Sequence, residues 1–539
     1  MKRAVWILIR TAFFLISRDY LMNAKKQLFL FLVPLMLTAC QDSNSVNDSS
    51  VNKSSVNKTS PLRDSALRSM TAYEILPRLK SGEISVLDYM DVLLAQTSKY
   101  DDALKAFITI DPQAVREQAK AADEKRKSGV ALGPLFGIPV SLKDLISTKD
   151  LATSFGTKKF AGFRPNKNAP LVDHLLAADA ILFGKNNAQE WAYGSNGYNA
   201  HYGQQLNPYD LSRIAGGSSG GGVAAVASRM LPIAIGSDTA ASIRVPAAYT
   251  GLYGLRPTTG RYDNSGVAPL APTLDTVGPM TRSVADLAIV DSVLSEDFSD
   301  LAMIDLYGLR LGIPKAFFHA GVSAEMLAAF ESLLQKLRKA GVVLVEQDLA
   351  KAQELNDAGL YPILFYESYP SIAEFLETWG DGTSVAELYA ELGADIKAMW
   401  GQLVMPGAPD AISEEVYNAA VNQARPAMQE SYRSYFEKHN VLALLFPATA
   451  SEAPLATPDN PQQTIIDGET VSIFINDHNS SPGALAGQPG IVMPLALNAQ
   501  GLPLAVSLDG KSGQDRELMA VAKAIDRLID PLPAPAIAQ

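Results

Sequence analysis

Residues 214–246, IAGGSSGGGVAAVASRMLPIAIGSDTAASIRVP, gather the groups most able to build a nucleophilic centre. A glycine-rich loop at 216–222 enters a helix of small residues. An apolar strand around Leu231 follows, and the chain then turns sharply over 236–242. Glycines let the backbone approach a substrate closely and aim N–H groups into a cavity. Upstream, the apolar strand in 137–144 (GIPVSLKD) ends in Lys143. A lysine closing a buried strand is costly unless it is paired or neutral, and the plain alternative is that it snorkels to the surface. The loop also contains Gly216-Gly217-Ser218-Ser219-Gly220, which satisfies the Gly-x-Ser-x-Gly nucleophile elbow. That elbow needs a strand before it and a later acid and histidine. Residues 207–214 are polar, with Asp210 and Arg213, and do not look like a strand; only His319, His439 and His478 follow.

These groups need a scaffold, and helical and strand patterns alternate to supply one. Thr71 and Ser85 stand where N-caps open amphipathic helices, and 114–127 continues the helical pattern. Short apolar runs occur at 135–142, 180–183, 231–235, 309–313, 342–345, 441–446, 491–497 and 502–508. Most lie beside helical stretches such as 323–339 and 515–529, which predicts an α/β domain around a largely covered sheet. No period of 20 to 50 residues recurs, which argues against a repeat architecture.

Taken together, Lys143 at a strand end, Gly-Gly-Ser-Ser-Gly-Gly at 216–221 and Asp-Thr-Ala-Ala-Ser-Ile-Arg-x-Pro at 238–246 resemble the amidase signature family. Flanking phrases fit as well: GKNN at 184–187, NPYD at 207–210, GLRPT at 254–258 and GPMTRS at 278–283. The resemblance runs from about residue 65 to 530 and is weakest between 315 and 440. It implies an α/β/α layered fold with a central, mixed, twisted sheet of about eleven strands. It also implies a hydrolase of carbon–nitrogen bonds in linear amides that needs no metal or organic cofactor. By the same resemblance Ser242 is the nucleophile, Ser218 a bridging cis-serine and Lys143 the general base. The N–H groups of Thr239, Ala240, Ala241 and Ser242 would form the oxyanion hole, with Ser219, Asp238 and Arg244 in support. The chemistry is coherent. A serine hydroxyl needs a base, and lysine serves only when desolvation lowers its pKa. Ser218, both donor and acceptor, could relay the proton. One departure stands out: Ala240-Ala241 replaces the usual Gly-Gly, which keeps open a non-catalytic binding protein of the same fold. Aromatic residues crowd the variable segment: Tyr361, Phe365, Tyr366, Tyr369, Phe375, Trp379, Tyr389 and Trp400. They either fill the core or line an acyl pocket.

The N-terminus carries its own signal. Lys25-Lys26, the apolar run 28–37 and Leu37-Thr38-Ala39-Cys40 follow the order of an export signal, and the ending resembles the bacterial lipobox. Met22 could equally open that signal. The expected organisation is an export signal at 1–39, then the Cys40 lipid anchor with a Ser/Asn-rich linker at 40–61. The amidase domain at 62–532 and a loose Pro/Ala-rich tail at 533–539 complete it. The expected location is the bacterial cell envelope, lipid-anchored to the outer membrane on its periplasmic side. The amidase subunit of a tRNA amidotransferase fits the motif but not export. Cys40 is the only cysteine of the 539 residues, which excludes an intramolecular disulfide and a thiolate metal cluster; the five histidines lack metal-ligand spacing. A net charge of −11 argues against nucleic acid as a partner, leaving a small amide and the lipid anchor. Oligomeric state is not readable from these features.

Overall fold

The eight apolar runs between 135 and 508 each contribute a strand to one sheet. In the computed structural model, which describes residues 61–456 and 463–538, these are β2 (Pro139–Lys143), β3 (Ile181–Asn186), β6 (Ile233–Asp238), β9 (Arg310–Gly312), β10 (Val343–Val345), β11 (Ala443–Pro447), β14 (Gly490–Leu497) and β15 (Pro503–Gly510). Three more strands join them: β1 (Phe107–Thr109), β7 (Tyr253–Arg256) and β8 (Thr276–Thr281). The order is β1-β3-β2-β6-β8-β7-β14-β15-β11-β9-β10. Pairing is parallel for β3/β2, β2/β6, β11/β9 and β9/β10, and antiparallel elsewhere. The sheet is thus mixed and eleven-stranded.

Side-chain alternation shows that both faces are covered. On β14, Ile491 and Met493 enter a core cluster with Leu518 and Ile525 of the helix Asp515–Asp526. The intervening Val492 joins a different cluster with Ala247 and Ala248 of the helix Arg244–Tyr249. Neighbouring residues of a strand point to opposite faces, so these helices lie on opposite sides. The predicted caps hold: Thr71 forms a capping box with Glu74, and the Ser85 side chain accepts from the Asp88 amide.

Two expectations need correction. Residues 207–214 do contain strand: β4 (Leu206–Asn207) and β5 (Asp210–Ile214) form a hairpin separate from the main sheet and from the pair β12 (Gln463–Ile466) and β13 (Glu469–Ser472). Its residues are polar because it stands outside the main sheet, with Leu211 exposed. The C-terminal residues are held rather than loose. Tyr209 donates from its hydroxyl to the Pro533 carbonyl at 3.0 Å, and Gln96 donates to Ile537 at the same distance. Ile537 packs on the main core and Ala538 is buried, so a Pro- and Ala-rich composition did not preclude docking. The export segment, Cys40 and the linker lie outside the described residues.

Candidate active site

Lys143 is the last residue of β2 and is only 1% exposed, so it does not snorkel. Its Nζ donates to Ser218 Oγ at 2.7 Å and to Ser237 Oγ at 2.9 Å. Burial drives its pKa from the ordinary 10.5 down to about 7, against the pull of the Asp238 and Asp275 carboxylates. Parallel pairing of β2 with β6 is what brings the lysine beside Ser237.

Ser218 sits in the glycine loop just before the helix Gly220–Ala227, after a cis Gly217–Ser218 peptide. The glycines here serve the protein's own packing. Gly216 has φ +83°, and a Cβ on Gly221 would meet the Ala106 and Asn187 carbonyls at 2.4 Å. Their role is therefore close backbone approach to neighbouring segments, not to a substrate alone. Ser219 pins the loop to β6: its Oγ donates to the Ser237 carbonyl at 3.2 Å and accepts from the Ser237 amide.

Ser242 lies on the turn between β6 and the helix Arg244–Tyr249, and Asp238 closes that turn. The Asp238 carboxylate accepts from the Ile243 amide at 3.1 Å and from the Arg244 and Arg256 guanidiniums. Burial alone would raise the Asp238 pKa, but the two arginines hold it at about 2. Three carbonyls of the turn have donors. Arg256 Nη1 reaches the Asp238 carbonyl, Arg244 Nη2 the Ala240 carbonyl at 2.7 Å, and the Val245 amide the Ala241 carbonyl at 2.9 Å. In a trans peptide the C=O and the following N–H point opposite ways. The amides of Thr239, Ala241 and Ser242 therefore face away from those partners. Among the described residues, none of the four amides from 239 to 242 has a protein acceptor. Neither Ala240 nor Ala241 has positive φ, so the turn does not require the glycines it lacks.

The Ser242 Oγ has no hydrogen-bond partner among the described residues, so Lys143 and Ser218 are joined to each other and not to Ser242. Apo sites often leave such bonds unmade until substrate binds. The Ser218 side chain bonds to Lys143 and no histidine, and His478 stacks instead on Phe317; the elbow reading loses its base.

A cleft of about 150 Å³ opens beside Ser237 and Thr239. Its apolar wall comes from Val267, Ala268, Pro269 and Leu270. None of the eight aromatic residues of the variable segment lines this cleft. Phe375 packs into a ring cluster with Phe155 and Trp191, and Trp400 is fully buried against Tyr193. That segment acts from behind the wall. In the helix Ala352–Trp379, Ser368 donates to the Leu270 carbonyl, and Glu367 accepts from the Thr273 amide and hydroxyl. Ser237, Arg256 and Asp275 were not foreseen as site residues. Arg256 lies within GLRPT, where its charge in a strand was the one available signal.

Comparison with known proteins agrees with this geometry. The family model described as Amidase matches residues 88–519. Mandelamide hydrolase of Pseudomonas putida is 32% identical over 480 residues, covering 86% of this chain and 92% of that protein. Indoleacetamide hydrolase of Agrobacterium vitis is 33% identical over 460 residues, covering 85% and 96%. Among solved structures, the peptide amidase of Stenotrophomonas maltophilia superposes with a TM-score of 0.73 at 28% identity, covering 87% of this chain and 99% of that one.

Proposed function

The chain belongs to the amidase family and hydrolyses carbon–nitrogen bonds of linear amides, and on that footing we propose a serine mechanism resting on Lys143. The observation that carries it is the buried Lys143, near neutral pKa and 2.7 Å from Ser218, beside the turn that bears Ser242. Neutral Lys143 accepts the Ser218 proton as Ser218 takes that of Ser242, and Ser242 Oγ bonds to the amide carbon. The unpaired amides of 239–242 receive the oxyanion, a contribution of roughly 3–4 kcal/mol for each donor. The proton returns through Ser218 to the leaving nitrogen as the C–N bond breaks. Water then adds to the acyl-enzyme, its proton passing through Ser218 to Lys143; the bond from Ser242 Oγ to the acyl carbon breaks, the proton returns to Ser242, and the acid leaves as carboxylate and a proton.

The apolar wall and the two aryl- and indole-acetamide relatives favour an amide with an apolar, ring-bearing acyl group. Burying a ring is worth about 2 kcal/mol, or roughly thirtyfold in kcat/KM. Ammonia release should therefore be faster from mandelamide or indoleacetamide than from acetamide by about that factor. Equal rates on all three would refute the substrate class. The N-terminal motif supports export and lipid attachment at Cys40, placing the enzyme on the cell envelope.

A further inference from the structure

We propose that Asp275 is a positioning residue, tying the Thr239 end of the Ser242 turn to the wall of the cleft. The proposal rests on Lys143 acting as base. Asp275 stands one residue before β8, the antiparallel neighbour of β6. Its Oδ1 accepts from Thr239 Oγ1 at 2.6 Å, and its Oδ2 accepts from the Leu270 and Ala271 amides at 2.8 and 2.9 Å. One carboxylate thus joins the first residue of the turn to the wall of the cleft that it also lines.

The backbone around it is fixed from two sides. Arg256 Nη2 donates to the Leu274 carbonyl at 2.7 Å, and Asn264 donates to the Asp275 carbonyl at 2.9 Å. Asn264 also accepts from the Val277 amide, so the side chain is presented rigidly. Charge adds a second effect. The carboxylates facing Lys143 are Asp238 and Asp275, and both favour its protonated form. Asp238 is already committed to Arg244 and Arg256, whereas Asp275 meets Arg256 only through charge. Tyr193 also faces Asp275, and burial holds that phenol protonated. Asp275 therefore sets both where Thr239 lies and how readily Lys143 holds its proton.

An Asp275→Asn change is close to isosteric. Its carbonyl can still accept from the wall amides while its NH2 donates to Thr239, so the main loss is charge. In kcat/KM profiles between pH 5 and 9, the acid limb of D275N should move to lower pH by roughly half a unit or more. Thr239→Val should lower kcat about tenfold without moving the limb, and Thr239→Ser should restore it. A purely structural role for Asp275 would slow D275N without shifting its profile. A parent limb that D275N leaves in place overturns the role of Asp275 alone. A parent with no acid limb overturns the lysine base and this proposal together. Should D275N not fold, the Thr239 pair decides: equal kcat for Val and Ser overturns the positioning contact.

Discussion

Replacing Lys143 by methionine should inactivate the enzyme and stabilise it. The amine is 1% exposed, and its pKa falls from 10.5 to about 7 on burial. Between these values the unfolded chain binds a proton that the native state does not, so native stability rises with pH across that window. Below about pH 7 the full penalty is present, on the order of 5 kcal/mol from the shift. Methionine removes it but deprives Ser218 and Ser237 of their donor, at about 1 kcal/mol each. The net gain should be about 3 kcal/mol at pH 6, vanish near pH 9 and become a loss of about 1 kcal/mol by pH 10. Losing a general base costs roughly 10²–10⁴ in rate. Urea midpoints at pH 6 and pH 9, with kcat/KM on a reactive amide, measure both effects. The parent's activity should fall as pH drops below about 7, because a protonated lysine accepts no proton. A variant less stable than the parent at pH 6, or a parent rate flat from pH 5 to 8, would refute the reasoning.

Three further outcomes are expected. Restoring glycine at both Ala240 and Ala241 should widen the range of amides cleaved while turnover on small amides stays within about tenfold, since neither position has positive φ. A gain of several orders of magnitude across a kinetic panel would mean the native turn is misshapen. Arg256→Met should destabilise the protein by roughly 3 kcal/mol in thermal melts, because it strips one of two partners from the buried Asp238 carboxylate. Cys40→Ser should move the protein from the membrane to the soluble fraction or leave it unprocessed; identical partitioning of variant and parent would exclude the anchor.

The candidate site was legible chiefly through the motifs around Lys143, Ser218 and Ser242 that carry the family resemblance; taken alone, Lys143 also allowed a surface reading. The strands missed were those lacking an apolar run. β8 reads TVGPMT because Gly278 lies against the Leu255 carbonyl, where any Cβ would collide. With β8 unseen, nothing singled out Asp275. Its partnership with Thr239 depends on sheet order, which no pattern along the chain reveals. Ser237 was hidden in the same way, since only parallel pairing of β2 and β6 sets it 2.9 Å from Lys143. Of the two readings open for the aromatic residues of the variable segment, packing is the one that Phe375 and Trp400 follow.

Intact-protein and peptide mass spectrometry on enzyme quenched during turnover tests the central claim most directly. With a slow ester or anilide analogue that accumulates intermediate, the account predicts one acyl adduct on the peptide carrying Ser242, absent from Ser242→Ala. An adduct on Ser218, or full turnover by Ser242→Ala, would contradict it.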